Sequence, residues 1–192
     1  MEIIHALTSF DCATAVTVGS FDGVHHGHRV MIERLVAVAR QRGLKSVVVT
    51  FEPHPRIALG RGEGLMLLTS LEEKAHLIEQ LGVDYLVVLD FTPSLAALTA
   101  EVFTQEVLVE RLNAKLLVAG YNHRFGHDRR SAAELEGLGL GLEIAIVGQQ
   151  TIHNRKVSSS EIRSLIERGA YDEATQLLGH PIDLILEKEK QQ

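Results

Sequence analysis

A chain of 192 residues, 45% hydrophobic and 23% charged, is long enough to bury a sizeable core and suits one domain, or one domain with a small appendage. Its formal net charge of −6 argues against a general nucleic-acid or membrane-surface binder, and no apolar run approaches the length needed to cross a bilayer. The single cysteine, Cys12, excludes an internal disulfide and a Cys-rich zinc site, and the start Met1-Glu2-Ile3-Ile4-His5 lacks a signal-peptide pattern, so a cytoplasmic location is expected.

Apolar runs alternate with helical patterns along the chain. Ala15 to Gly19 reads as a buried strand. From about Gly27 to Arg42 apolar residues recur at helical spacing, with Met31, Leu35 and Val38 on one line and Ile32, Val36 and Ala39 on the next; Gly43 is a natural stop. Ser46 to Phe51 is the second strand. Thr69-Ser70-Leu71-Glu72 reads as a capping box that opens a helix ending at Gly82. Tyr85 to Leu89 is the third strand, Ala100 to Leu112 a helix, Lys115 to Gly120 the fourth strand and Leu142 to Val147 the fifth. Two short helices follow, Ser160 to Arg168 and Tyr171 to Leu178. Continuous apolar strands between helices predict an α/β fold with a mostly parallel sheet of about five strands, covered on both faces. Ligands of such folds sit at the carboxyl ends of the strands. Gly19, Phe51, Asp90 and Gly120 end their strands, so the segments after them should border one crevice.

Positive charge and histidine gather in those segments. Arg124, Arg129 and Arg130 lie in one loop-like stretch, and Arg155, Lys156 and Arg163 in another. Seven of the ten histidines (His25, His26, His28, His54, His123, His127, His153) fall in loops or at loop edges. Cationic groups gathered into a few loops of an acidic protein fit a small anionic ligand better than they fit an evenly solvated surface.

The strongest motif is Gly19-Ser20-Phe21-Asp22-Gly23-Val24-His25-His26-Gly27-His28, which joins the first strand to the first helix. Its glycines allow backbone N–H groups close to an anion, and the helix start adds free donors and the positive end of its dipole. His25 and His28 supply side-chain donors three residues apart. A metal site built from His25, His26 and His28 is the competing reading. Adjacent histidines usually point apart, and no cysteine or evident carboxylate completes a ligand set, so no protein metal site is expected.

His-x-Gly-His after a strand is the signature of the nucleotidyltransferase superfamily. The longer form resembles the adenylyltransferase module of the bacterial riboflavin kinase/FAD synthetase family. Three later blocks resemble that family in order: Thr50-Phe51-Glu52-Pro53-His54-Pro55, Gly120-Tyr121-Asn122-His123-Arg124-Phe125-Gly126 and Val157-Ser158-Ser159-Ser160-Glu161-Ile162-Arg163. The resemblance covers about residues 15 to 180. The family more often has Asn at the position of Ser20 and an aromatic residue at that of His123.

The resemblance implies a Rossmann-like nucleotidyltransferase fold over residues 1–180 and a tail over residues 181–192, with the riboflavin kinase domain absent. It implies that ATP and FMN give FAD and pyrophosphate by direct attack of the FMN phosphate on the ATP α-phosphorus, with Mg²⁺ on the phosphates. His25, His28, Ser160 and Arg163 would carry the catalysis. Gly19, Ser20, Phe21, Gly23, His25, His28, Ser159, Ser160 and Arg163 would hold the nucleotide; Pro53, His54, Asn122, Arg124 and Phe125 would hold the flavin. Arg163 is expected to clamp phosphate, and Asp22 to play a structural or hydrogen-bonding part. The expected partners are small-molecule substrates, neither nucleic acid nor membrane, with a separate riboflavin kinase as a candidate source of FMN. Two alternatives stay open: another nucleotidyltransferase of this fold with a different phosphate acceptor, and a non-catalytic protein that binds flavin or nucleotide.

Overall fold

The computed structural model describes residues 1–182; the remainder of the tail expected at 181–192 lies outside the described residues. In chain order the elements are β1 (Glu2–Ile4), β2 (Thr14–Val18), α1 (His26–Arg42), β3 (Lys45–Glu52), α2 (Pro55–Ala58), α3 (Leu71–Glu79), β4 (Tyr85–Asp90), α4 (Pro93–Ala96) and α5 (Ala100–Val102), which runs on as a π helix over Phe103–Arg111. There follow β5 (Ala114–Gly120), β6 (Arg124–Phe125), β7 (Arg130–Ser131), α6 (Ala132–Glu136), β8 (Glu143–Val147), β9 (Thr151–Ile152), β10 (Arg155–Lys156), α7 (Ser159–Glu167) and α8 (Tyr171–Leu178).

The central sheet has six strands in the order β1-β4-β3-β2-β5-β8, and every pairing in it is parallel. The sequence predicts about five. The additional strand, β1, is three residues long and largely exposed at the sheet edge, so it has no apolar run to announce it. The inner strands read as unbroken apolar runs because both their faces are covered. Val47 and Val49 of β3 join one core with Val87 and Leu89 of β4, while Val48, Leu86 and Val88 join the other. The first face is covered by the π helix, through Phe103, Val107 and Leu108, and by Leu135 of α6. The second is covered by Ile32, Leu35 and Val36 of α1 and by Ala75 and Ile78 of α3. A third, smaller core packs α7 and α8 on Leu68 and Val157.

Local chemistry sets the helix ends. His25 is the N-cap of α1, its Nδ1 accepting from the His28 backbone N–H at 3.2 Å, and Gly43 closes the helix at φ 65° with its N–H directed to Ala39 and Arg40 carbonyls. The capping box of α3 is Ser70 with Glu73, one residue later than the predicted Thr69 with Glu72, and α3 ends at Glu79 rather than Gly82. Thr69 is displaced from the cap because its hydroxyl accepts from the Gly23 N–H. Likewise Ser158 caps α7, accepting from the Glu161 N–H at 3.3 Å, and the helix begins at Ser159, one residue before the predicted Ser160.

From β2 the chain builds outward through β3 and β4 on one side, then crosses to β5 and β8 on the other. The loops after β2 and β5 therefore diverge at the switch point, where a crevice opens.

Candidate active site

A cleft of about 790 Å³ lies at the carboxyl ends of the strands. Its walls come from the segments that follow β2, β3, β4, β5 and β8, closed on one side by the start of α7. Of the predicted nucleotide residues, Gly19, Ser20, Phe21, His25, His28, Ser159, Ser160 and Arg163 border this cleft. Of the predicted flavin residues, His54, Asn122, Arg124 and Phe125 border it. Gly23 and Pro53 do not. Gly23 works behind the loop: its φ is +82°, and a side chain there would sit 2.9 Å from Leu68. Pro53 follows a cis peptide bond that turns the chain from β3 toward α2.

The imidazoles of His25 and His28 stack with centroids 3.6 Å apart and planes 13° from parallel, and Phe21 meets His28 edge-on at 5.2 Å. Phe21 is fully buried and takes φ 47°, so it braces the histidines from beneath the loop. Burial pushes His25 down to about 4, and it holds His28 well below the usual histidine range, helped by the charge of Lys74. Both rings are therefore neutral near pH 7. His28 Nδ1 is buried and, among the described residues, has no hydrogen-bond partner.

Asp22 lies under the same loop and is the hub of the site. Its Oδ1 accepts from the Leu68 N–H at 2.9 Å and the Thr69 N–H at 3.2 Å, and its Oδ2 pairs with the Arg163 guanidinium. Arg163 also donates through Nε to the Met66 carbonyl at 2.6 Å. The expected phosphate clamp is thus already tied at two of its nitrogens, which leaves its outer face to the cleft. Ser159 Oγ donates to the Asp22 carbonyl at 3.0 Å, so one residue joins the loop after β2, the segment before α3 and the first turn of α7.

Another part of the cleft wall is aromatic. Phe51 and Phe91 meet edge-on at 5.3 Å, and His123 lies tilted on Phe125 at 4.1 Å. Burial pushes His123 down to about 4, so in place of the family's aromatic residue it offers a flat, uncharged ring. His54 caps α2 through Nδ1, and Arg124 reaches Glu134 at 3.7 Å. Phe91 and Phe103, which carry no signal in the sequence, also line the cleft, as do Met31, read only as part of the helix stripe, and Lys156, read only among the loop cations. Among the described residues no three His, Cys, Asp or Glu side chains gather so as to hold a metal ion, and Asp22 is committed to Arg163. The residues present do not fit a dedicated Mg²⁺ cage.

Two results follow from this packing. In Gly126 (φ +66°) an added Cβ would sit 2.1 Å from the Ala100 nitrogen and 2.5 Å from the Thr99 carbonyl carbon. Gly126→Ala should therefore cost more than about 2 kcal/mol, lowering the melting temperature by about 4–8 °C in a thermal scan. The buried histidines give a pH dependence. Their folded pKa values lie below the unfolded value of 6.5, so the unfolded chain binds protons first as pH falls. Stability should be full above 6.5 and decline toward 4; a melting temperature unchanged between pH 7 and pH 5 would contradict the burial of these rings.

An all-parallel sheet with two helix N-termini converging on a Gly- and His-rich loop at its switch point defines a nucleotidyltransferase-type α/β domain. The family model for FAD synthetase matches residues 7–161, and the chain belongs to that family. The bifunctional riboflavin kinase/FMN adenylyltransferase of Listeria monocytogenes is 36% identical over 89% of this chain and 55% of its own length. The Escherichia coli K12 protein of the same name is 34% identical over 86% of this chain and 54% of its own. The chain thus spans about half the length of these curated relatives. A solved structure of a Streptococcus pneumoniae protein named macrolide-efflux protein superimposes with a TM-score of 0.85 at 32% identity, covering 95% of this chain and 63% of that one. Among the described residues of this chain no helix is long and apolar enough to cross a membrane.

Proposed function

We propose that this chain is an FMN adenylyltransferase that joins ATP and FMN into FAD and pyrophosphate. The observation that carries this reading is one cleft with two unlike walls, one made by the histidines and helix starts and one by edge-on and tilted aromatic rings. A phosphate oxygen of FMN attacks the α-phosphorus of ATP; that P–O bond forms as the bond from the α-phosphorus to the bridging oxygen breaks, and pyrophosphate leaves with the electron pair. The reaction needs no protein nucleophile, and exposed Cys12 lies outside the cleft lining. The chain's contribution is positioning and stabilisation of developing negative charge. The N–H groups at the starts of α1 and α7, with His25, His28 and Ser160, face the phosphates, and Arg163 adds its charge from the wall. His54, Asn122, Arg124 and Phe125 hold the flavin. Mg²⁺ enters with the nucleotide rather than in a protein cage. FMN comes from a riboflavin kinase, and the cytoplasm supplies both substrates.

Purified protein with ATP, FMN and Mg²⁺ should give FAD and pyrophosphate in equal amounts by chromatography. FAD no higher than in a protein-free blank would overturn the reading.

A further inference from the structure

Helix α3 carries an apolar stripe, Leu71, Ala75 and Ile78, that packs on the sheet, and Lys74 falls on the same stripe. Lys74 is only 5% exposed. Lysine is almost never buried without a partner, because its charge loses hydration that the interior does not replace. Among the described residues the ammonium has one hydrogen-bond partner, the Thr50 hydroxyl at 3.4 Å, and no carboxylate at ion-pair distance. Thr50 is itself fully buried and donates onward to the Ser20 carbonyl at 3.2 Å, inside the loop that faces the cleft. The nearby carboxylates are Asp22, already bound to Arg163, and Glu52 at the end of β3. The cation therefore sits behind the loop with its counter-charge incomplete. Its field is felt on the cleft side, where it helps to hold His28 and His54 below the usual histidine range.

We propose that Lys74 is a positioning residue whose buried ammonium, joined through Thr50 to Ser20, supplies positive charge behind the loop and steadies the nucleotide's phosphates in front of it. This rests on the reading of the cleft as a nucleotide site. A bound polyphosphate completes the counter-charge that the protein leaves open, so the contribution grows with the charge of the ligand. A residue that merely filled space on α3 would not distinguish ligands by charge.

The test uses the full chain with Lys74→Met, which keeps the stem and removes the charge, and Lys74→Arg, which restores it. ATP and AMP are titrated calorimetrically with divalent cations chelated, so that their charges differ. Lys74→Met should weaken ATP on the order of tenfold and AMP within about threefold, and Lys74→Arg should recover most of the ATP loss. If Lys74→Met does not fold, Lys74→Gln, which keeps a donor for Thr50 and drops the charge, carries the same comparison. Equal losses for both ligands, or none, would overturn the proposal while leaving the nucleotide site intact. A parent protein that bound neither ATP nor AMP would instead overturn the reading of the cleft.

Discussion

Asp22→Ala is expected to lower the melting temperature by about 10 °C, the largest single effect on stability at the site. The Asp22 side chain is 2% exposed and its partner Arg163 10%. Removing one member of a buried pair costs about 3–5 kcal/mol, because the other charge stays buried and uncompensated. The Leu68 and Thr69 N–H groups also lose their acceptor, which adds desolvation cost. For a chain of this size each kcal/mol moves the midpoint by about 2–4 °C. The double variant Asp22→Ala/Arg163→Met should recover part of the loss, since it removes both charges together. Additive effects of the two substitutions in a double-mutant cycle would show that the pair is not coupled.

His28→Ala should lower the rate of FAD formation by on the order of 10²–10³, the cost of losing one donor to developing negative charge. The ring lies at the first turn of α1, stacked on His25 and braced by Phe21, with Nδ1 unpartnered among the described residues. It is neutral before ligand arrives, so in the proposed reaction it would stabilise the transition state by a preset hydrogen bond or by taking up a proton as phosphate charge comes near. FMN affinity should stay within a few-fold, because the aromatic wall of the cleft is built from other segments. Rate measurements alongside flavin titration separate the two; a variant as fast as the parent would remove the phosphate role from His28.

Much of this site was legible in the sequence because its pieces are local. The loop from Gly19 to His28 stands between an unbroken apolar strand and an amphipathic helix, and each strand's end marks a cleft wall. What was not legible is pairing across distance. Arg163 reads as a free phosphate clamp until it is seen to meet Asp22, 141 positions away. Thr69 and Ser70 are equally plausible caps in a string of letters; only the Gly23 N–H, delivered by another segment, decides between them. The serines at 158 to 160 are one residue out of step for the same reason, since Ser159 is drawn to the Asp22 carbonyl. Lys74 left a signal that periodicity alone could have found, a lysine on the apolar line of Leu71, Ala75 and Ile78. The β6–β7 and β9–β10 hairpins have strands of two residues each, too short for any alternation to show.

The knot at Asp22 and Gly23 also sets an order on synthesis. Ser159 reaches back over 137 positions to the Asp22 carbonyl, and the His180 imidazole reaches back over 157 to the Gly23 carbonyl at 2.7 Å. All six strands of the sheet precede those two anchors in the chain, β8 ending at Val147. A nascent chain stopped at residue 158 would carry the Gly- and His-rich loop and the complete sheet, yet the loop would lack the ties that hold it from α7 and from beyond α8. On the proposed reading of the cleft, tight nucleotide binding would need the ties from α7 and from His180. A ligand that binds only the tied form of the loop favours it by mass action, so on that reading ATP would stabilise the loop held by α7 and His180 over a loop without those ties.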